Sequence, residues 1–139
     1  MTSETDEKGQ KTTYTYDSNH NLTVQENPDG TSEKYTYDSQ GNVTSITNRD
    51  GTKETYQYDN NNNLIYKDNS DSQGIHYVYN DKNLVIKETN ALGVSKDYEY
   101  KDNQIVKITH SNGLVESFVY DSMGNVIKES DNKGRSTSY

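Results

Sequence analysis

Residues 35 to 43 have the sequence Tyr-Thr-Tyr-Asp-Ser-Gln-Gly-Asn-Val, and close variants of this stretch begin at Tyr14 and Phe118. Successive aromatic pairs are 21 residues apart, with one step of 20, and Tyr139 opens a seventh repeat. A fixed period of this kind indicates a repeat architecture. We therefore expect a single array of six repeats with partial repeats at both ends, and the repeats span 14-34, 35-55, 56-76, 77-97, 98-117 and 118-138.

The alternation of residues within each repeat predicts β-strands. The two aromatic residues of a pair are two positions apart, which places both on the same face of a strand. Threonine, valine and isoleucine around them favour extended backbone. No stretch has a helical period, and alanine occurs once. The predicted fold class is all-β, a repetitive antiparallel β-hairpin meander that forms a curved or spiral ribbon without helix.

Two kinds of turn alternate along the chain. Ser18-Asn19-His20 predicts a three-residue hairpin loop whose third residue is left-handed, a place that favours glycine. Asp29-Gly30 predicts a two-residue loop, and Asp71-Ser72 occupies the same place without glycine. The expected turn glycines are Gly30, Gly41, Gly51, Gly93, Gly113 and Gly124.

Repeats 77-97 and 98-117 have insertions and deletions at their turns. One residue is missing after each aromatic pair, so two-residue loops are predicted at Asp81-Lys82 and Asp102-Asn103. Repeat 77-97 regains a residue at Ala91-Leu92-Gly93, which predicts a three-residue loop. Changes of length confined to loops are typical of a hairpin array.

These turn lengths predict two cross-strand rows on one face, with Tyr16 opposite Leu22 and Tyr14 opposite Val24. The first row is Tyr16, Leu22, Tyr37, Val43, Tyr58, Leu64, Tyr79, Leu84, Tyr100, Ile105, Tyr120 and Val126. The second row is Tyr14, Val24, Tyr35, Ser45, Tyr56, Tyr66, Tyr77, Ile86, Tyr98, Lys107, Phe118, Lys128 and Tyr139. Such pairs stabilise a sheet by roughly 0.2–1 kcal/mol each. They would replace a conventional core, because only 27% of the residues are hydrophobic.

The tyrosine rows are the one candidate binding surface. A tyrosine ring with its hydroxyl suits stacking on a sugar or contact with a protein partner. The alternative is structural: the rings line the concave side of a curved ribbon or pack on neighbouring coils. The opposite face begins polar and becomes apolar in the second half, with Val78, Val85 and Val119 among its members. Packing of that half on its back face and plain β-propensity both explain this change.

No catalytic, metal or cofactor site is predicted. The recurring Asp17, Asp38, Asp59 and Asp121 lie at loop edges, where aspartate caps turns by accepting hydrogen bonds from nearby amides. His20, His76 and His110 occupy unrelated repeat positions. Residues 59–63 alternate oxygen-bearing side chains but lack the glycine and glutamate of an EF-hand loop. Calcium at such acidic loops stays open as an alternative.

Charge and composition exclude several classes of partner. The net charge of -8 disfavours nucleic acid and anionic membranes. There is no cysteine, and no apolar run approaches a membrane span. The N-terminal residues lack the pattern of a signal peptide. Because the chain starts within a repeat and stops on Tyr139, we expect it to be a segment of a longer protein.

The pattern Tyr-x-Tyr-Asp-x-x-Gly-Asn-Leu/Val, followed by Asp-Gly, resembles the tyrosine–aspartate (YD, or RHS) repeat family. The similarity runs from Tyr14 to Tyr139, and Asn80 and Lys101 depart from its aspartate position. The resemblance implies an antiparallel β-ribbon that, in complete secreted or surface proteins, winds into a hollow shell. In toxin members that shell encloses a C-terminal toxic domain. The aspartate-proline-glycine region that ends such shells is absent from this sequence.

The family resemblance gives the functional expectations. We expect a non-catalytic structural segment of a secreted or cell-surface bacterial protein, forming part of a scaffold or of a toxin-encapsulating shell wall. Its expected partners are neighbouring repeats of a longer chain, further copies joined through edge strands, and toxin cargo or a glycan. The alternative is a carbohydrate- or protein-binding module that uses the tyrosine rows.

Overall fold

The computed structural model of the chain describes residues 1–69 and 73–139, which form two compact units, Met1–Gly74 and Ile75–Tyr139. The described residues contain β-strands and turns and no helix. The expected turn at Asp71-Ser72 lies outside these residues. Within each unit every strand is antiparallel to the next one in sequence, so the predicted hairpin meander is confirmed.

The described residues of each unit form seven strands. Those of the N-terminal unit are β1 (Thr2–Thr5), β2 (Lys11–Tyr16), β3 (Leu22–Glu26), β4 (Ser32–Tyr37), β5 (Val43–Thr47), β6 (Lys53–Tyr58) and β7 (Leu64–Asp68). Those of the C-terminal unit are β8 (Ile75–Tyr79), β9 (Val85–Asn90), β10 (Ser95–Lys101), β11 (Gln104–His110), β12 (Val115–Tyr120), β13 (Val126–Asp131) and β14 (Ser136–Ser138).

In the hairpin formed by β2 and β3, the loop after the aromatic pair has the predicted three-residue form. The Asp17 amide donates to the Asn21 carbonyl at 2.9 Å, and the His20 amide donates to the Asp17 carbonyl at 3.2 Å. His20 is left-handed, with φ 68°. The predicted pairing of Tyr16 with Leu22 is confirmed.

The second turn is one residue longer than predicted. The Asn27 amide donates to the Thr31 carbonyl at 2.9 Å, and the Gly30 amide donates to the Asn27 carbonyl at 3.0 Å. The loop is therefore Pro28-Asp29-Gly30, not Asp29-Gly30. Asparagine, proline and glycine here occupy the first, second and fourth places of a type I turn, which all three favour. The left-handed glycine then returns the chain to the next strand.

The two shortened loops of the C-terminal unit differ from each other. Asp102-Asn103 forms the predicted two-residue loop, since both residues have positive φ and Lys101 pairs with Gln104. The prediction for Asp81-Lys82 is wrong, because the loop also includes the left-handed Asn83. This longer loop keeps the side-chain oxygen of Asn80 as a cap for the amides of Lys82 and Leu84, both at 3.0 Å. Tyr79 consequently pairs with Val85 and not with Leu84.

A β-bulge in each hairpin shifts the predicted second row. Tyr16 pairs with Leu22 but Thr15 pairs with Val24, so Thr23 is an extra residue on β3. An extra residue on one strand displaces all pairs beyond it by one position. The predicted partners of the first aromatic residues are therefore wrong, and the observed pairs are Tyr14–Gln25, Tyr35–Ile46, Tyr56–Lys67, Tyr77–Glu88, Tyr98–Ile108 and Phe118–Glu129.

The bulge also moves predicted row members to the other face of the sheet, because side chains alternate with a period of two. Val24, Ser45, Tyr66, Lys107 and Lys128 pair with Thr15, Thr36, Gln57, Glu99 and Val119, respectively, away from the tyrosine pairs. The ring of Tyr66 lies against Gly74, where a Cβ would be only 2.6 Å from the tyrosine Oη. Val85, expected on the back face, lies on the tyrosine face.

No hydrophobic side chain is buried in the part of the chain that the structure describes, and Ser45, at 8% exposed, is the one buried polar residue. Within each unit, every strand contacts its neighbours in sequence. Stability therefore comes from ladder hydrogen bonds, capped turns and cross-strand pairs, each of them modest.

Candidate functional site

The tyrosine face is the sheet face of each unit that carries the paired tyrosines. In the N-terminal unit it includes Tyr14, Tyr16, Tyr35, Tyr37, Tyr56 and Tyr58, and in the C-terminal unit Tyr77, Tyr79, Tyr98, Tyr100 and Tyr120. All of these side chains are half-buried except that of Tyr16, which is 43% exposed. The face thus consists of partly covered rings. The first and second tyrosines of a pair are called the first-position and second-position tyrosines, and their hydroxyl groups bond to different kinds of acceptor.

Three second-position tyrosines, Tyr37, Tyr100 and Tyr120, each connect their hairpin to the preceding one. The Tyr37 hydroxyl donates to the carbonyl of Leu22, 15 residues earlier, at 2.7 Å. The backbone pairing of β3 with β4 extends from Val24–Lys34 to the turn. The Leu22 carbonyl therefore lies outside the ladder of backbone hydrogen bonds between these two strands. Tyr100 and Tyr120 make the same 2.7 Å bond, to the carbonyls of Val85 and Ile105. The hydroxyl therefore satisfies a carbonyl that the strand pairing leaves open.

First-position tyrosines donate to carboxylates on the same face. Tyr35 donates to Glu33 at 2.7 Å, and Tyr56 donates to Glu54 at 2.5 Å. The hydrogen bond to Glu33, followed by burial, raises the pKa of Tyr35 to about 12. Burial, followed by the hydrogen bond to Glu54, raises the pKa of Tyr56 to about 12. Both phenols therefore stay protonated and act as donors.

Cations complete these tyrosine–glutamate pairs. Arg49 Nε lies 2.9 Å from Glu33 Oε1, and Lys67 Nζ lies 3.3 Å from Glu54 Oε2. The hydrogen bond from Tyr35, followed by that from Arg49, lowers the pKa of Glu33. The bonds from Tyr56 and then from Lys67 do the same to the pKa of Glu54. In the C-terminal unit, Lys96 forms an ion pair with Glu88 at 3.1 Å on the same face, and His110 Nε2 lies 2.6 Å from Glu116 Oε2.

The repeated aspartates cap the turns, as the sequence predicts. Asp38 Oδ1 accepts the amides of Gln40 and Asn42, both at 2.9 Å, and its Oδ2 accepts Asn42 Nδ2 at 3.0 Å. Asp17, Asp59 and Asp121 make the same three contacts. Hydrogen bonds to the carboxylate, led by that from the Asn42 side chain, lower the pKa of Asp38. These carboxylates therefore stabilise the loops by accepting hydrogen bonds from them.

The family model for the RHS Repeat matches residues 1–32, 16–53 and 37–72, which together are residues 1–72 of 139 and just over half of the chain. The chain belongs to the RHS-repeat family. No curated protein matches it.

Solved structures with a similar fold include a TcdB2-TccC3 complex and a holotoxin pore. The RHS-repeat chain is similar to a chain of the crystal structure of TcdB2-TccC3-Cdc42, with a TM-score of 0.68 and 16% identity over 86% of its own length. It is also similar to a chain of the Tc holotoxin pore of Photorhabdus luminescens, with a TM-score of 0.67, 17% identity and the same coverage. At this identity the likeness shows the fold alone. The RHS-repeat chain spans 7% of the length of each of these chains.

The six predicted turn glycines of this RHS-repeat chain all have φ between 77° and 89°, in the loops where sequence placed them. His20 and Asn62 have the equivalent conformation, at φ 68° and 64°. Of the three histidines, His110 contacts Glu116, and the described residues hold no group of three histidine or acidic side chains suited to a metal. The described part of the chain also has no helix long and apolar enough to cross a membrane.

Acid is expected to destabilise the fold through the turn aspartates. Their pKa values are lowered in the folded state, so their stabilisation is present above the unfolded-state pKa and is lost as pH falls through the folded-state pKa. We expect the melting temperature, followed by circular dichroism, to fall between about pH 5 and about pH 2.

The matched control replaces Asp17, Asp38, Asp59 and Asp121 together with asparagine. Asparagine keeps the Oδ1 acceptor and is the natural cap at position 80. The variant should lose less of its melting temperature between the two pH values than the unsubstituted chain. An equal loss would show that other carboxylates cause the acid sensitivity.

Proposed function

We propose that the chain is a non-catalytic structural segment of a secreted or cell-surface bacterial RHS-type protein. It forms part of a β-ribbon scaffold or of a shell wall that encloses a toxin. The observation that carries this proposal is the construction of the sheet within each unit. Its described residues bury no hydrophobic side chain, while neighbouring strands are joined by turns and ladder hydrogen bonds, and three tyrosine hydroxyls bond to the preceding hairpin. Such a sheet gains stability by repetition.

The comparisons support this proposal at the level of fold. The matched chains are much longer than this one, and one of the structures is that of a holotoxin pore. A segment that occupies 7% of such a chain would have neighbouring repeats as its main partners. Free strand edges are templates for further pairing, so an isolated segment would also associate with other copies through them.

The rival function, a glycan-binding module, is favoured by the accessible ring of Tyr16 and the hydroxyl groups along the tyrosine face. The proposal predicts no saturable binding of the 139-residue chain on a glycan array or in titration with the best hits. Saturable binding that is lost in Tyr37→Ala and Tyr58→Ala, while circular dichroism shows a retained fold, would establish the rival. Saturable binding that persists in both variants would also contradict the scaffold proposal, and it would show that the glycan binds without Tyr37 and Tyr58.

A further inference from the structure

Acidic and basic strand residues of the N-terminal unit are distributed unequally between the two faces. The observed register places Glu4, Glu33 and Glu54 on the tyrosine face with one lysine, Lys67. The opposite face carries the lysines Lys11, Lys34 and Lys53 and the acids Glu26 and Asp68. Arg49 of a turn also reaches this face by pairing with Glu33, so three carboxylates there face two cations, and the aromatic rings share their surface with an excess of one carboxylate.

Lys67 shows how this surface holds a cation. Its ammonium lies 3.3 Å from Glu54 Oε2 and 5.5 Å from the centroid of the Tyr56 ring. The Tyr56 hydroxyl donates to the same carboxylate oxygen, which makes the ring more electron-rich and a better partner for a cation. A cation here is thus held by a ring face and a carboxylate at once.

The preceding hairpin has the same arrangement without the lysine. Tyr35 donates to Glu33 at 2.7 Å, but the residue opposite Tyr35 is Ile46, where Lys67 stands opposite Tyr56. Arg49 binds the other oxygen of Glu33 from the turn, with a half-exposed side chain. The ring of Tyr35 therefore lacks the intramolecular strand cation that covers Tyr56.

Successive hairpins place equivalent tyrosines two strand spacings apart, about 10 Å. A polyproline II segment has three residues per turn and rises about 3.1 Å per residue, so every third side chain points to the same side about 9 Å along. A cationic segment running across the strands would therefore place a side chain at each hairpin in turn.

We propose that the tyrosine face of the N-terminal unit is a docking surface for an extended polypeptide segment with lysine or arginine at every third residue. The occupant follows from charge complementarity and from the contacts of Lys67. This interaction goes beyond the scaffold role, since it assigns the wall a partner of defined chemistry.

Isothermal titration of the 139-residue chain with an amidated peptide of four Arg-Ser-Gly triplets tests the proposal. We expect saturable binding that weakens with added salt, and no binding of the matching Glu-Ser-Gly peptide. Lys67→Ile copies the isoleucine of the preceding hairpin and frees Glu54 and the Tyr56 ring. It should tighten binding by about two- to fivefold.

Lys34→Ile is the matched control, because it makes the same change of charge and size on the opposite face. It should leave affinity unchanged within about a factor of two, as expected for screened charges remote from the surface. Glu33→Gln and Glu54→Gln should each weaken binding by about two- to tenfold, whereas Glu26→Gln should not. Absence of saturable binding, or equal tightening in Lys34→Ile and Lys67→Ile, would overturn the proposal.

Discussion

Replacing Tyr37 with alanine is expected to lower the free energy of unfolding by about 2–3 kcal/mol. The substitution removes a half-buried ring opposite Val43 and the hydroxyl that donates to the Leu22 carbonyl at 2.7 Å. Tyr37→Phe keeps the ring and should cost about 1 kcal/mol, the net contribution of one hydrogen bond. The difference between the two variants separates packing from the link between hairpins.

Urea denaturation followed by circular dichroism measures both effects, with Tyr16→Phe as the control. Tyr16 has the equivalent place in the first hairpin, but it is 43% exposed and its hydroxyl has no acceptor among the described residues. Its replacement should change the free energy of unfolding by less than about 0.5 kcal/mol. If Tyr37→Phe were equally neutral, the hydroxyl-to-carbonyl link would not hold successive hairpins together.

The local features of this fold could be predicted from the sequence because each depends on a few adjacent residues. The spacing of Tyr35 and Tyr37 requires a strand with both rings on one face. The left-handed backbone of His20, which follows Ser18-Asn19, could also be predicted, because other repeats have glycine at the same position. The same logic extends to Glu33, which is two residues before Tyr35 and so shares its face. Its role on the candidate surface was missed, although period-two alternation was sufficient to find it.

The length of the second turn was misjudged, although the sequence contains the necessary signal. Asp-Gly alone favours a two-residue hairpin loop. Asn27-Pro28-Asp29-Gly30, however, has the favoured residues of a type I turn at its first, second and fourth places. The structure adopts this longer loop, in which the Asp29 carboxylate also accepts the Thr31 amide at 3.0 Å. The four-residue pattern outweighs the dipeptide because it satisfies more backbone groups.

The bulge could not be predicted, because nothing in the local sequence distinguishes it. The extra residues are Thr23, Thr44, Ile65, Ile86, Val106 and Ile127, all β-branched and all ordinary in a regular strand. Their position depends on pairing across the hairpin, which a single strand does not reveal. One such residue reverses the facing of the remaining residues of its strand relative to the prediction. That is why Tyr66 was assigned to the wrong face while Tyr56 and Tyr58 were assigned correctly.

Gly51→Val is expected to lower the free energy of unfolding by about 2 kcal/mol or more. Gly51 has φ 84°, and a Cβ built on it meets nothing within 4 Å. The cost therefore comes from forcing a β-branched residue into the left-handed region and not from a steric clash with neighbours.

Gly51→Asn separates these two causes. Asparagine tolerates the left-handed region, and Asn62 already adopts φ 64° in the equivalent place of another loop. The asparagine variant should retain most of the stability that the valine variant loses, as measured by urea denaturation of both. Equal destabilisation would mean that the site excludes any side chain, which the open space around Gly51 contradicts. Stability retained in the asparagine variant would show that the turn glycines act through backbone conformation alone, as the left-handed His20 and Asn62 already indicate.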